Sequence, residues 1–416
     1  MYRPGGFPEF NPKQQVIWDK MLEIITDVFK KHNYQHIWTP AVEPIELLKK
    51  GWDIIEQQVY GLYGLAQGTE DTKDYALHFD LTIPLARYVL DHQQDIVFPF
   101  SRYQIQPVWR WESHKRGRYK EFWQCDIDTI LRYDTNVWQR YDSQSIYVMQ
   151  SAMNAVCDYF GITINFVAKI NHLNLTKSYL DSLKISGTAQ WQTLKLLDNY
   201  FKMPADIFKT KLIELVWIED SWKIIQIIET KNYEMFSHLP LYQELTQIIH
   251  YLNLMNISFE YDMCIVRGQN YYSGMVVEWY DKDDMALGSL AAGGRYDKLT
   301  DFIDTKQSFG GVGTSLGRFT SLIMEKAQLS SASETYLFLR FPESFESLIP
   351  LYKQFTESNK SSEFYPTEAK FAKQLEYANK KNMRYAIICG EDEMKKGIYL
   401  QKDLTTGEQK ECPLSI

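Results

Sequence analysis

Long uncharged apolar stretches are missing from this 416-residue chain. No run reaches the ~18 residues a membrane-spanning helix needs, and the opening MYRPGGFPEF lacks the charged-then-apolar order of a secretory leader. Neither membrane nor secretion is expected. Paired cysteines are missing too: Cys125, Cys157, Cys264, Cys389 and Cys412 stand singly, with no C-x-x-C. That argues against a disulfide framework or a structural zinc site and for a reducing, cytoplasmic setting. Positive charge is not in excess either. With 45 Lys and Arg against 53 Asp and Glu the net charge is −8, which argues against coating nucleic acid nonspecifically but leaves a local basic surface open. Aromatic residues at 15% and hydrophobic residues at 45% exclude disorder for most of the length and supply two or three cores.

Asn11-Pro12 reads as a helix start, and Ile17, Met21, Ile24, Ile25 and Val28 then recur at helical spacing. In HIWTPAVEPIELL, Pro40 and Pro44 favour an extended edge or interface segment over a helix. Residues 76–130 read as strands and a helix, and residues 140–260 as a mostly helical insertion. A strand-rich block, MCIVRGQNYYSGMVVEWY, and a glycine-punctuated segment from Gly293 to Gly317 follow. Residues 328–335, small and polar, read as a linker. Beyond it TYLFLRF, AKFAKQLEYANKK, YAIICG and GIYLQKD give strand, helix, strand, strand. The domains expected are therefore 1–327 and a small α/β domain, 336–416.

Residues 102–130 read as two strands around a basic loop. Arg102, Gln104, Gln106, Val108, Arg110 and Glu112 alternate onto one face of the first strand, and Gln124, Asp126 and Asp128 share a face of the second. A closed hairpin makes one polar platform of Arg110, Glu112, Gln124 and Asp128. Residues 102–120 carry six Lys or Arg against one acid, Glu112. An ordinary solvated hairpin tip has such a charge, but arginines on the open face of an amphipathic hairpin suit bidentate grip of phosphate.

The string PVWRWESHKRGRYKEFWQCDID resembles the second signature motif of class II aminoacyl-tRNA synthetases, in the form seen in the histidyl-tRNA synthetase family. VRGQNYYSG resembles that family's histidine signature, AAGGRYDKL the glycine-rich segment after it, and IWTPAVEPIELL the first class II motif, whose proline, here Pro40, lies at a dimer interface. QLEYANKK and YAIICGEDEMKKGIYLQKD resemble the family's anticodon-binding domain. The resemblance implies an α+β fold: a six-stranded antiparallel sheet with flanking helices, a helical insertion and a C-terminal α/β domain. It implies a cytoplasmic homodimer that joins L-histidine to tRNA(His), with ATP and Mg²⁺, through a histidyl-adenylate. Arg110 then holds the α-phosphate, Glu112 the adenine amino group, and Arg118 the β- or γ-phosphate. Arg267 lies between the histidine carboxylate and the α-phosphate, which makes Arg267 and Arg110 the catalytic residues. Asp80, Thr82 and Gln124 receive the α-amino group, while Asp128 and Tyr272, with Tyr271 beside them, bracket the imidazole. Taken singly, Thr82 and Gln124 also fit strand caps, Tyr271 and Tyr272 core aromatics, and Asp80 an ion pair with Arg87.

Gly311, Gly313 and Gly317 fit neither a Walker A loop nor a dinucleotide fingerprint. They resemble the third class II motif, where an arginine stands three positions after the last glycine. Thr320 occupies that position, and Arg318, two residues earlier, is roughly 200° away around a helix. Gln269, Asn270 and His78 depart as well, where the family has Leu, Asp and often Arg. Thr320 supports a second reading, a catalytically impaired synthetase-like protein that senses histidine and regulates a partner. Arg110, Arg118, Arg267 and the C-terminal domain weigh toward the enzyme.

Overall fold

The computed structural model describes residues 4–50, 58–64, 74–113, 116–132, 137–266, 271–304, 306–328 and 333–414. The chain divides into two compact units, Met1–Ala327 and Gln328–Ile416.

The larger unit runs α1 (Pro12–Lys31), β1 (Gln35–His36), β2 (Val42–Pro44), α2 (Ile45–Lys50), β3 (Gly61–Leu62), β4 (Tyr75–Leu77), α3 (Thr82–His92), β5 (Phe100–Trp109), β6 (Glu121–Arg132), α4 (Trp138–Phe160) and β7 (Phe166–His172). Then come α5 (Leu173–Ser182), α6 (Gly187–Asp198), α7 (Ala205–Leu215), α8 (Ile218–Thr230), α9 (Tyr242–Leu254), β8 (Phe259–Tyr261), β9 (Met275–Asp281), β10 (Ala291–Tyr296), β11 (Phe309–Leu316) and α10 (Arg318–Lys326). One sheet has the order β1-β5-β6-β11-β10-β9-β7-β8. The six strands from β5 to β7 pair antiparallel throughout, and the short edge strands β1 and β8 add on in parallel.

α1 starts where the sequence signals it. Asn11 accepts from the Gln14 amide while the Gln14 side chain returns to the Asn11 amide, a reciprocal cap with Pro12 in the first turn. Ile17, Met21, Ile25 and Val28 are buried, together with Trp18 and Phe29. The stretch of roughly 140–260, expected to be a helical insertion, is not helical throughout. α4 packs on α1, α9 and β11, and β7 is a strand of the main sheet. Six of the seven β7 residues are buried, so the strand shows no alternation and reads in the sequence as part of its helical surroundings. The helices α5 to α9 lie between β7 and β8 in the chain.

Arg295 on β10 ties α9 to the sheet. Its guanidinium lies 2.7 Å from Glu244 of α9 and 3.3 Å from both Asp142 of α4 and Asp297. His172 and then Arg295 hold the Glu244 carboxyl down at about 2. A Cβ on Gly274 would stand 1.9 Å from Arg295 Nε, which explains why the YYSG segment ends in glycine. Alternation along β10 then sends the next side chain, Tyr296, to the opposite face.

The first-motif segment lies along the sheet edge. Thr39 is buried and receives Gln104 Nε2 on its hydroxyl at 2.8 Å and Gln106 Nε2 on its carbonyl at 2.9 Å, whereas Trp38, Pro40 and Val42 are exposed.

The smaller unit has β12 (Ser333–Phe338), α11 (Phe345–Glu357), β13 (Ser361–Phe364), α12 (Phe371–Lys380), β14 (Met383–Ile388), α13 (Glu391–Lys396), β15 (Ile398–Asp403) and β16 (Gln409–Pro413), with sheet order β13-β12-β14-β15-β16. Alternate β12 residues serve two apolar clusters: Phe338 joins Leu348, Phe355 and Ile387, and Leu337 joins Tyr365, Ala378 and Met383. β12 starts inside the stretch expected to be a linker; residues 329–332 lie outside those described.

Candidate active site

β5 and β6 pair with Arg102 opposite Asp128, Gln104 opposite Asp126 and Gln106 opposite Gln124. The register places these polar side chains on one face. Arg102 is fully buried, with Nη2 at 2.7 Å from Asp128 Oδ2. Asp128 also accepts from the Tyr296 hydroxyl of β10. β11 opposes Asp128 with Gly313, where a Cβ would stand 2.0 Å from Asp128 Oδ1. Glycine at that position lets the carboxylate lie across the neighbouring strand. An ionised carboxylate has about four acceptor sites, so Arg102 and Tyr296 leave room for a further donor.

Asp80 precedes α3 and accepts the Ile83 amide on Oδ1 at 3.2 Å; its Oδ2, buried, has no hydrogen-bond partner among the described residues. Arg87 does not pair with it. That guanidinium is engaged by Glu43 at 2.7 Å and Asp91 at 3.0 Å, so the structural ion pair open to Asp80 in the sequence is not formed. Burial pushes the Asp80 carboxyl up to about 6, with Arg110 opposing the shift and Asp128 adding to it. Asp80, Arg110 and Asp128 therefore share one electrostatic neighbourhood. Burial lifts Asp126 to about 7 against the opposing charge of Arg102. Gln124 donates to the Ser315 hydroxyl of β11 at 3.1 Å, while its Oε1 and Asp126 Oδ1 have no partner among the described residues. These buried acceptor oxygens of Asp80, Gln124 and Asp126 thus have no partner among the described residues, although buried polar groups are nearly always paired. A cationic ammonium supplies the donors they lack.

Tyrosines close this end. The Tyr271 hydroxyl lies 3.5 Å from Thr82 Oγ1 and 3.4 Å from the Tyr272 hydroxyl, and both rings approach Tyr296. At the other end Arg110 Nε donates to the Phe79 carbonyl at 2.9 Å, and its guanidinium sits 5.1 Å from the Phe122 ring centre. Arg118, exposed on the loop, lies 3.5 Å from Glu112. His78 is buried, stacks on Trp109 and contacts the Pro107 carbonyl at 2.9 Å, and burial depresses its pKa. Arg267 lies outside the described residues.

Of the predicted set, Asp80, Thr82, Arg110, Gln124, Asp128, Tyr271 and Tyr272 converge on this face, and Glu112 pairs with Arg118 at its loop edge. Arg102, Asp126 and Tyr296 were not assigned roles from the sequence. Arg102 and Asp126 carried a usable signal, since they alternate onto the same face as Gln124 and Asp128.

A family model described as histidyl-tRNA synthetase matches residues 6–317. This chain belongs to the histidyl-tRNA synthetase family. A second model, an anticodon binding domain, matches residues 343–415. A histidine–tRNA ligase of Clostridium acetobutylicum is 31% identical, with 97% of this chain and 96% of the relative covered. That of Treponema denticola is 32% identical, covering 99% of this chain and 95% of the relative. The crystal structure of histidyl-tRNA synthetase from Nostoc sp. PCC 7120 superposes with a TM-score of 0.84 at 28% identity, covering 99% of this chain and 96% of that one. No helix among the described residues is long and apolar enough to cross a membrane.

Proposed function

We propose that this synthetase-family chain ligates L-histidine to tRNA(His) at the expense of ATP. The observation that carries the reading is the set of buried acceptors on Asp80, Gln124 and Asp126 without a partner among the described residues, together with the Arg110 guanidinium near Asp80: carboxylates for an ammonium and a cation for a phosphate. The histidine carboxylate attacks the α-phosphorus of ATP, a mixed anhydride forms and pyrophosphate leaves. A terminal hydroxyl of the tRNA then attacks the carbonyl carbon, the ester forms and AMP leaves.

Two anions must approach in the first step. Arg110 neutralises the α-phosphate, and Arg267 is assigned to the gap between that phosphate and the carboxylate; fixed cations at developing charge lower the barrier without reorganising. Glu112 is assigned to the adenine amino group and Arg118 to the outer phosphates. Asp80, Thr82 and Gln124 take the α-ammonium, while Asp128 and Tyr272, with Tyr271 beside them, meet the imidazole. Arg102 and Tyr296 fix the Asp128 carboxylate so that an acceptor faces one imidazole N–H. Sites that hydrogen-bond a polar substrate group reject analogues lacking it by about 10⁴-fold. ATP enters as its Mg²⁺ complex, an ion held largely by substrate phosphates. The exposed Trp38, Pro40 and Val42 row suits an isologous homodimer, and a cytoplasmic location suits unpaired cysteines.

The family match through residues 343–415 does not favour the histidine-sensing regulator. Histidine-dependent ATP–pyrophosphate exchange, followed by charging of tRNA(His), is the test. Both activities are expected, and histidine binding without exchange would overturn the assignment.

A further inference from the structure

Thr320 stands where the third motif of the family carries its arginine, and its side chain is buried, the hydroxyl donating to the Gly317 carbonyl at 2.9 Å. No cation comes from that position. Arg318 opens α10 and sits half-buried beside the loop between β5 and β6. Its Nη1 donates to the Ser289 carbonyl at 3.1 Å, the one hydrogen bond its side chain makes among the described residues. Two glycines with left-handed backbone, Gly117 at φ +70° and Gly288 at φ +80°, form the slot that receives it. A Cβ on Gly117 would stand 3.6 Å from Arg318 Cδ, and one on Gly288 would stand 2.6 Å from Nη1.

The loop is fastened over this slot. Arg116 reaches Glu325 of α10 at 2.8 Å and Asp284 at 3.3 Å, and Arg118 follows Gly117 directly. Gly117 lies against the Arg318 side chain, so the Arg118 that follows it on the loop is a neighbour of the helix start that bears Arg318. Burial first, and the Arg118 charge next, lower the Arg318 pKa, with Glu278 and Glu112 offsetting part of the repulsion. Like charges held together in a partly desolvated place favour a bound anion, and a guanidinium has five donors, of which Ser289 takes one.

We propose that Arg318 takes the place of the missing motif arginine and, with Arg118, clamps the β- and γ-phosphates of ATP. The assignment rests on the ATP-dependent reading above. The 200° offset from position 320 is bridged because the long side chain passes between Gly117 and Gly288 to reach the loop side.

The test is equilibrium binding of ATP, AMP and pyrophosphate to the full chain by calorimetry, in wild type and in Arg318→Met, which keeps the aliphatic stem in its slot. Losing the charge-assisted contacts should weaken ATP and pyrophosphate by about 10–100-fold while AMP, which lacks the outer phosphates, binds as before. An unchanged ratio of ATP to AMP affinity overturns the clamp. Should Arg318→Met fail to fold, Arg318→Lys is read by the same ratio, which should still fall because an ammonium cannot bridge two phosphates in the plane of a guanidinium. Wild-type protein that binds neither nucleotide defeats the ATP-dependent reading, and the clamp with it. Wild-type protein that binds ATP no more tightly than AMP defeats the clamp alone.

Discussion

At the end of the site proposed to bind histidine, Asp80, Asp126 and Asp128 are at most 4% exposed and are set by strand register and a helix start, whereas at the end proposed to meet the phosphates Arg116 and Arg118 keep 57% and 52% of their side chains in solvent. The difference matches two tasks. Buried acceptors that go unmet without substrate favour the one ligand that supplies every donor, so selectivity is concentrated there. Exposed arginines on a loop attract a polyanion over a distance and give up little when it leaves, at the cost of screening by salt.

The sharpest way to break the contrast is to disturb the buried end. Arg102→Met removes the counterion of Asp128 and leaves a buried carboxylate with Tyr296 alone. Breaking such a pair costs about 3 kcal/mol of folding stability, measurable by urea denaturation. The free Asp128 carboxylate also becomes easier to protonate, so kcat/KM for histidine should collapse while ATP affinity changes little. Equal loss for both substrates would show that the two ends are not separately built.

A smaller effect is expected from pH. Burial lifts Asp80 to about 6 and Asp126 to about 7, against about 3.9 for an aspartate in an unfolded chain. The folded protein therefore holds these protons more tightly than the unfolded one. The stability this contributes is complete below about pH 4 and is lost as pH rises through 6 and 7. An α-ammonium beside the two carboxyls favours their ionised forms, so histidine affinity should rise about tenfold between pH ~5.5 and ~8, and the melting-temperature gain from histidine should rise with it. The substrate imidazole titrates in the same window. Asp126→Asn separates the two, flattening the upper part of the profile if the protein carboxyl governs it and leaving it intact if the imidazole does.

Much of this site is legible in the sequence because alternation is a local property. That Gln124, Asp126 and Asp128 share a face of one strand, and Arg102, Gln104 and Gln106 a face of the other, follows from a period of two alone. Which residue meets which does not follow, because register depends on the turn, and the pairing of Arg102 with Asp128 emerges only once β5 and β6 close. Burial on both faces hides β7, and Pro350 inside α11 masks that helix. Arg318 is the clearest case: counting residues from Gly317 puts it on the wrong side of its helix, and only Gly117 and Gly288, distant in sequence, show where its side chain passes.

The smallest effect belongs to the exposed clasp. Arg116 pairs with Glu325 and Asp284 across surfaces that remain in water, where ion pairs contribute little to folding. Arg116→Ala should therefore leave the melting temperature almost unchanged. The loop bearing Arg118 would nevertheless lose its attachment to α10, so the KM for ATP should rise, by less than in Arg318→Met, with the KM for histidine unaltered. A rise in the histidine KM of the same size would mean that the loop supports the buried carboxylates as well, and the division between a rigid selective end and a loosely held capturing end would no longer describe the pocket.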